Sequence, residues 1–492
     1  MSIATFALAA AGLFQAAPCN LPDKPASFEQ DARVECGWVT VPRSRNDPGA
    51  GTLRLWTARI HANSDTPRDD PVVYIHGGPG IATVDSMLPW VDEIRSFVAL
   101  RADRDIILFD QRGTGRSEQA LCPDLGDKLN ALSAQGLDPV TEDIRGRALF
   151  AACKATLDAD GIDLADYSSA AIAADLDAIR GALQVERWNL MAVSYGTLVA
   201  LDAMRSTPQG IRAVLLDSPY PPNSVAWAEQ ASTTAAAYQA IGRACAADGD
   251  CKTRFGDTVA QLEATLARLE ATPLQDGETR ITGRLFATSL WPLAVRSSTV
   301  ALVPQAIHKA HAGDADTIKG LVRMFGGKNS FGDMSPAQAM AISCHEGGRT
   351  HDWFARARSL YPALVPATPD DSWDRLCATF RPDFAPPEFF APVRSGIPTL
   401  IFAGTLDPAT PAVDAYQSAR FLEHATIVEV EGQAHAPLGS DDCTRGLAVA
   451  FLDQPEADVD LRCLAQRPPL AFPADGLAEV LAPPAEASTQ EE

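Results

Sequence analysis

The chain has 492 residues, 46% of them hydrophobic and 21% charged, which is enough apolar material for a large core carrying an insertion or a second domain. Its 63 acidic against 41 basic side chains leave a formal charge of -22. A surface of that sign excludes the phosphate contacts on which nucleic-acid binding rests.

Residues 3–14 form an alanine-rich apolar run followed by Gln15–Pro18, which resembles the hydrophobic region and cleavage site of a secretory signal peptide. The expected leader is residues 1–17, although no Lys or Arg precedes Lys24. Residues 37–42 and 52–60 alternate apolar with polar, as half-buried antiparallel strands do. Residues 71–75 and 105–109 are instead continuously apolar, which suits strands buried on both faces of a parallel sheet. A helical spacing over 170–183, a strand over 188–193, a helix to about 206 and a strand over 211–216 then predict a doubly wound α/β core.

The pattern changes after residue 222. Residues 223–390 read as amphipathic helices, whereas buried strands return at 398–402 and 425–430, with a further helix over 443–452. The expected architecture is therefore a core from 18–222 and 391–466, mostly parallel in its central sheet, with an inserted helical cap over the C-terminal ends of the strands. From residue 467 the chain is rich in Pro, Ala and Glu, a composition that predicts a disordered tail. No later segment is apolar for long enough to span a bilayer, so stable membrane insertion is not expected.

Ten cysteines are unusual in a reduced compartment, and an even number predicts disulfides and export to the periplasm or beyond the cell. Their order favours the neighbouring pairs Cys19–Cys36, Cys122–Cys153, Cys245–Cys251, Cys344–Cys377 and Cys443–Cys463, although order alone does not fix connectivity. No close C-x-x-C pair occurs and the histidines are scattered, so no metal site is expected.

The strand over 188–193 stops at Ser194 and resumes as a helix. A serine on such a sharp turn is pushed out of the sheet, close to the next backbone N–H and a helix N-terminus. The usual spacing is G-x-S-x-G; here it is Ala192-Val193-Ser194-Tyr195-Gly196. Taken alone, a serine in that place is more often a helix N-cap. The glycine-rich His76-Gly77-Gly78-Pro79-Gly80 follows another buried strand, and the amides of Gly77 or Gly78 with that of Tyr195 could form an oxyanion hole, with His76 orienting the loop. Asp110-Gln111-Arg112-Gly113-Thr114-Gly115-Arg116-Ser117 lacks the full dinucleotide spacing and is expected to hold the site floor through an Asp110–Arg112 contact. Asp407 and His435 follow the two late strands, in the order serine, acid, base. Asp217 is the reserve acid. Acyl transfer by such a set needs no metal or organic cofactor.

Together these segments resemble the proline iminopeptidase and tripeptidyl aminopeptidase branch of the α/β-hydrolases, from about Cys36 to Cys463, including the cysteine arrangement of its secreted bacterial members. The resemblance implies an α/β-hydrolase fold and a serine exopeptidase acting on peptides with a free N-terminus, with Ser194, Asp407 and His435 catalytic. Ala192 departs from the family's glycine. Cys344-His345-Glu346 resembles the family's Cys-x-Glu segment, which makes Glu346 the candidate anchor for the substrate ammonium. An esterase or thioesterase on the same scaffold, and a non-catalytic binding protein, are the alternative readings.

Overall fold

The computed structural model describes residues 13–21, 24, 28, 33–118, 120–224, 226–325, 334–347, 351–365, 372–381 and 383–482. Nine strands form one sheet. They are β1 (Gln15–Ala16), β2 (Val34–Pro42), β3 (Thr52–Ile60), β4 (Val72–Ile75), β5 (Ile106–Phe109), β6 (Trp188–Val193), β7 (Ile211–Asp217), β10 (Thr399–Gly404) and β11 (Ala425–Val430), with β8 (Leu274–Asp276) and β9 (Thr279–Ile281) making a separate hairpin between them in sequence. The order across the sheet is β1-β2-β3-β5-β4-β6-β7-β10-β11. Pairing is antiparallel from β1 to β5 by way of β2 and β3, and parallel from β5 onward.

Alternation along the strands divides the core in two, because successive side chains point to opposite faces. In β7, Val214 and Leu216 join the cluster under α1 (Ser169–Ala182) and α2 (Tyr195–Ser206), whereas Ala213 and Leu215 face the cluster under helix Arg95–Leu100 and the C-terminal helix Asp442–Asp453. Ile107 and Phe109 of β5 separate from Ile106 and Leu108 in the same way. β4 and β5 therefore have no polar face to give to water, which is why they read as unbroken apolar runs.

Helices α3 (Ala226–Ala247), α4 (Gly283–Val295) and α5 (Pro336–Glu346) belong to the inserted helical layer. That layer has its own core, from Tyr238 through Phe286, Leu290 and Leu321, which extends to Leu406 and Ala434 beside the candidate acid and base. A second contribution comes from helices Leu125–Ser133 and Pro139–Ala159, which lie between β5 and α1 and share a small cluster with Ala337, Ala341 and Phe380. All ten cysteines are paired, in the five neighbouring pairs that their order favours.

Three expectations need correction or qualification. Asp110 does not hold Arg112: it accepts from the amides of Val84 (2.8 Å) and Arg116 (2.9 Å). The Arg112 guanidinium instead makes two 2.7 Å bonds to Asp175 of α1. The tail beyond 467 is ordered through residue 482, because Phe472 and Leu477 are buried in the cap's core and Gln305 donates to the Ala474 carbonyl at 2.7 Å; residues 483–492 lie outside the described residues. Residues 1–12 of the expected leader also lie outside them, and Gln15 and Ala16 pair with Trp38 and Gly37.

The Arg112–Asp175 pair is fully buried, and Arg112 also donates to the carbonyls of Arg43 and Asp166. Removing one member of a buried pair strands the other charge. Arg112→Ala is therefore expected to cost about 3 kcal/mol of unfolding free energy in chemical denaturation of the oxidised protein. A loss below about 1 kcal/mol would show that Arg45, which also reaches Asp175, is an adequate substitute.

Candidate active site

Ser194 stands between β6 and α2 with φ 55 and ψ -129, a conformation L-residues avoid, and its side chain makes no capping hydrogen bond to the helix. That removes the N-cap reading of this serine. Crowding explains the turn: a Cβ on Gly196 would lie 2.2 Å from the Ile75 carbonyl oxygen, so only glycine lets α2 pass this close to β4. Ala192, where the usual spacing has glycine, is instead a fully buried strand residue opposite Ile75 and Leu216, and its methyl group belongs to the core. Thr197 anchors the Ser194 carbonyl by its own amide (2.9 Å) and hydroxyl (2.5 Å).

The loop after β4 passes directly over this serine. A Cβ on Gly77 would lie 2.8 Å from Ser194 Cβ and 3.4 Å from its Oγ, so only a bare backbone fits here. The loop is held on two sides. Gln111 Nε2 donates to the His76 carbonyl (3.2 Å), and the Gly80 carbonyl accepts from the Ser335 amide (2.7 Å) at the start of α5. Burial lowers the His76 imidazole to about 4, which keeps it neutral.

Asp407 and His435 meet at the ends of β10 and β11. Nδ1 of His435 lies 2.7 Å from Oδ2 of Asp407, whose side chain is wholly buried, while the imidazole keeps part of its surface open. Burial works to lower the His435 imidazole, but the charge and hydrogen bond of Asp407 outweigh it and hold it above its ordinary value. Burial pushes Asp407 the other way, and the imidazole and the amides of Thr410 and Ala409 bring it below the usual carboxylate range. Asp217, the reserve acid, does not contact the imidazole; it accepts from the Leu438 amide (3.2 Å), and burial raises it to about 7. Ser194 and the Asp407–His435 pair are tied through β7: the Ser194 amide donates to the Asp217 carbonyl (2.9 Å), and the adjoining Ser218 Oγ donates to Asp407 Oδ2 (2.8 Å).

Glu346, at the end of α5, is nearly enclosed. Its two oxygens accept from the Ser169 amide (2.7 Å) and hydroxyl (2.6 Å) at the start of α1. Burial raises the carboxyl to about 7 against these hydrogen bonds. Among the described residues no metal-binding cluster of His, Cys, Asp or Glu is present. No described helix is long and apolar enough to cross a membrane.

Residues 70–279 match the family model of the alpha/beta hydrolase fold, and residues 366–463 match that of TAP-like protein. The chain has the alpha/beta hydrolase fold, with a C-terminal region similar to TAP-like protein. It is 26% identical over 457 residues to a tripeptidyl aminopeptidase of Streptomyces coelicolor, covering 86% of this chain and 80% of that one. It is 25% identical over 457 residues to the serine protease Hip1 of Mycobacterium tuberculosis, covering 85% and 84%.

Sequence reasoning missed several residues of this α/β-hydrolase site. Ser218 bridges Asp407 to the Ala436 amide (2.9 Å), beside the base. Thr410 Oγ1 lies 3.0 Å from Asp407 Oδ2 and 3.3 Å from His435 Nδ1. The second was legible, since Asp-Pro-x-Thr is a turn in which an Asp oxygen accepts the amides that follow; here Ala409 and Thr410 donate at 2.8 and 3.0 Å. The cap's part carried no signal: Val295, ending α4, accepts from the His435 amide (3.0 Å), and Ser297 Oγ accepts from Ala434 (3.0 Å).

A base must be neutral to accept a proton, so the acidic limb of kcat/KM is expected above the ordinary His value of about 6.5. Asp407→Asn removes the charge that raises the imidazole; the limb should move to lower pH and kcat fall by roughly a thousandfold. Asp217→Asn, measured with the same nitrophenyl ester, should cost far less. Equal losses would mean that the acid has been misassigned.

Proposed function

We propose that this chain is a serine peptidase that removes residues or short peptides from free N-termini through an acyl-enzyme. The observation that carries the reading is the 2.7 Å Asp407–His435 pair at the strand ends, linked through Asp217 and Ser218 to a serine held in a strained turn with its side chain not used as a cap. The two similar proteins named above support peptides over other acyl compounds.

In this reading Asp407 fixes the imidazole with its proton on Nδ1, leaving Nε2 as the base. His435 takes the Ser194 proton as Oγ attacks the substrate carbonyl. The new oxyanion is received by the amide of Tyr195, at the N-terminus of α2, and by Gly77 or Gly78. His435 then gives its proton to the leaving amine, and water attacks the acyl-enzyme by the same route. Every step is carried by the chain's own groups.

Glu346 is the proposed anchor of the substrate ammonium. It is a buried carboxylate with hydrogen-bond donors on one side, and among the described residues no Lys or Arg pairs with it at contact distance; Arg381 acts on it only from farther off. An arriving ammonium would favour its charged form. The five disulfides support an oxidising destination, periplasmic or extracellular.

Ser194→Ala should abolish both turnover of peptidyl naphthylamides and labelling by a fluorophosphonate, with the unfolding transition unchanged; retained labelling would place the nucleophile elsewhere. Simple acyl esters hydrolysed in preference to peptidyl naphthylamides would favour an esterase. Glu346→Gln should raise KM for free-amine peptidyl substrates several-fold more than for N-acyl esters. An equal effect on both would count against an ammonium anchor.

A further inference from the structure

Glu346 does more in the fold than close the end of a cap helix. Ser169 is the first residue of α1 after its N-cap Ser168, so its amide is one of those left without a partner inside the helix. A carboxylate at that end is favoured by the helix dipole, and Glu346 supplies it from the cap. The Ser169 hydroxyl stands between two groups: Glu346 Oε2 at 2.6 Å and the Tyr195 hydroxyl at 2.7 Å. In its ionised form Glu346 can only accept, so the single hydroxyl hydrogen of Ser169 goes to Glu346, and Tyr195 must donate its own hydrogen to Ser169. In that state the bonds run in one direction, from Tyr195 to Ser169 to Glu346, and are anchored by a charge. Tyr195 is also the residue after Ser194, with its side chain buried and its backbone amide at the start of α2.

We propose that Glu346 is a positioning residue for acyl transfer: through Ser169 it fixes the Tyr195 side chain, and thereby holds the Tyr195 amide at the developing oxyanion. This rests on the reading that the Tyr195 amide is an oxyanion donor, and it adds that the cap takes part in setting kcat. The Ser169–Glu346 contact joins α1 of the core to α5 of the cap, across 177 residues of sequence.

The test separates kcat from KM for a free-amine peptidyl naphthylamide and for an N-acyl nitrophenyl ester. Ser169→Ala leaves the carboxylate in place but breaks the chain; kcat should fall about tenfold on both substrates, a fraction of what loss of an oxyanion donor costs, with KM nearly unchanged. Ser169→Thr, which keeps a hydroxyl, should restore most of the loss. Tyr195→Phe should match Ser169→Ala, and the double variant should be no worse than either, because both act through one chain. If Ser169→Ala does not fold, Tyr195→Phe decides. Unchanged kcat in the folded variants, or a change confined to KM for free amines, overturns the proposal. A selective KM effect of Glu346→Gln together with neutral Ser169 and Tyr195 variants would leave the ammonium anchor standing and remove the positioning role. Loss of kcat in all three, equal on both substrates, would do the reverse.

Discussion

The site depends on how closely α2 passes β4. With no side chain on Gly196, the start of the helix touches the Ile75 carbonyl, and the chain can reach it from β6 only by turning through φ 55 at Ser194. Two other non-glycine residues with positive φ lie in the same place, Ser218 (φ 55) after β7 and Ala436 (φ 58) after the base. Each costs of order 1 kcal/mol or more and persists only where its surroundings overdetermine it. Here the surroundings are hydrogen bonds among these same residues: Ser194 to Asp217, Ser218 to Asp407, and Ala436 to Ser218. The strain at the three strand ends is held by one connected network, so the proposed nucleophile, acid and base are set as a unit.

Burial alone raises every carboxylate, and the site differentiates its carboxylates by what each is given in compensation. Asp407 receives an imidazole, two backbone amides and hydroxyls, and stays charged. Asp217, one strand away, receives one amide, and Glu346 only Ser169; burial takes both to about 7. Partner supply thus selects the acid, whereas position at a strand end does not distinguish Asp407 from Asp217.

Much of this could be read from the sequence because the relevant physics is local. Unbroken apolar runs marked the parallel strands, alternation marked β2 and β3, and cysteine order anticipated the five disulfides. Ser194, Asp407 and His435 could be singled out because each follows a recognisable strand. What escaped was non-local. Arg112 was assigned to Asp110, two residues away, but a guanidinium has several donors to satisfy and found Asp175 and three carbonyls across the core. The tail was judged on composition, yet a few apolar residues among prolines, with Phe472 and Leu477 buried and Leu470, Val480 and Leu481 packed beside them, seat it on the cap's core. Glu346 was placed by motif, but nothing near it in sequence reveals that Ser169 is its partner.

The same non-local contacts make the cap part of the site. Ser335 holds the carbonyl of Gly80, Val295 holds the amide of His435, and Glu346 reaches the start of α1 behind Tyr195. The cap therefore touches the loop over Ser194 and the His435 amide, and reaches Tyr195 through Ser169, at three separate points along its chain. A rigid lid could exclude long substrates with any one of these attachments. Three of them, each leading to a different element of the proposed machinery, mean that a shift of the cap cannot leave that geometry untouched, so in the proposed function substrate selection by the cap and the rate of acyl transfer would be physically linked.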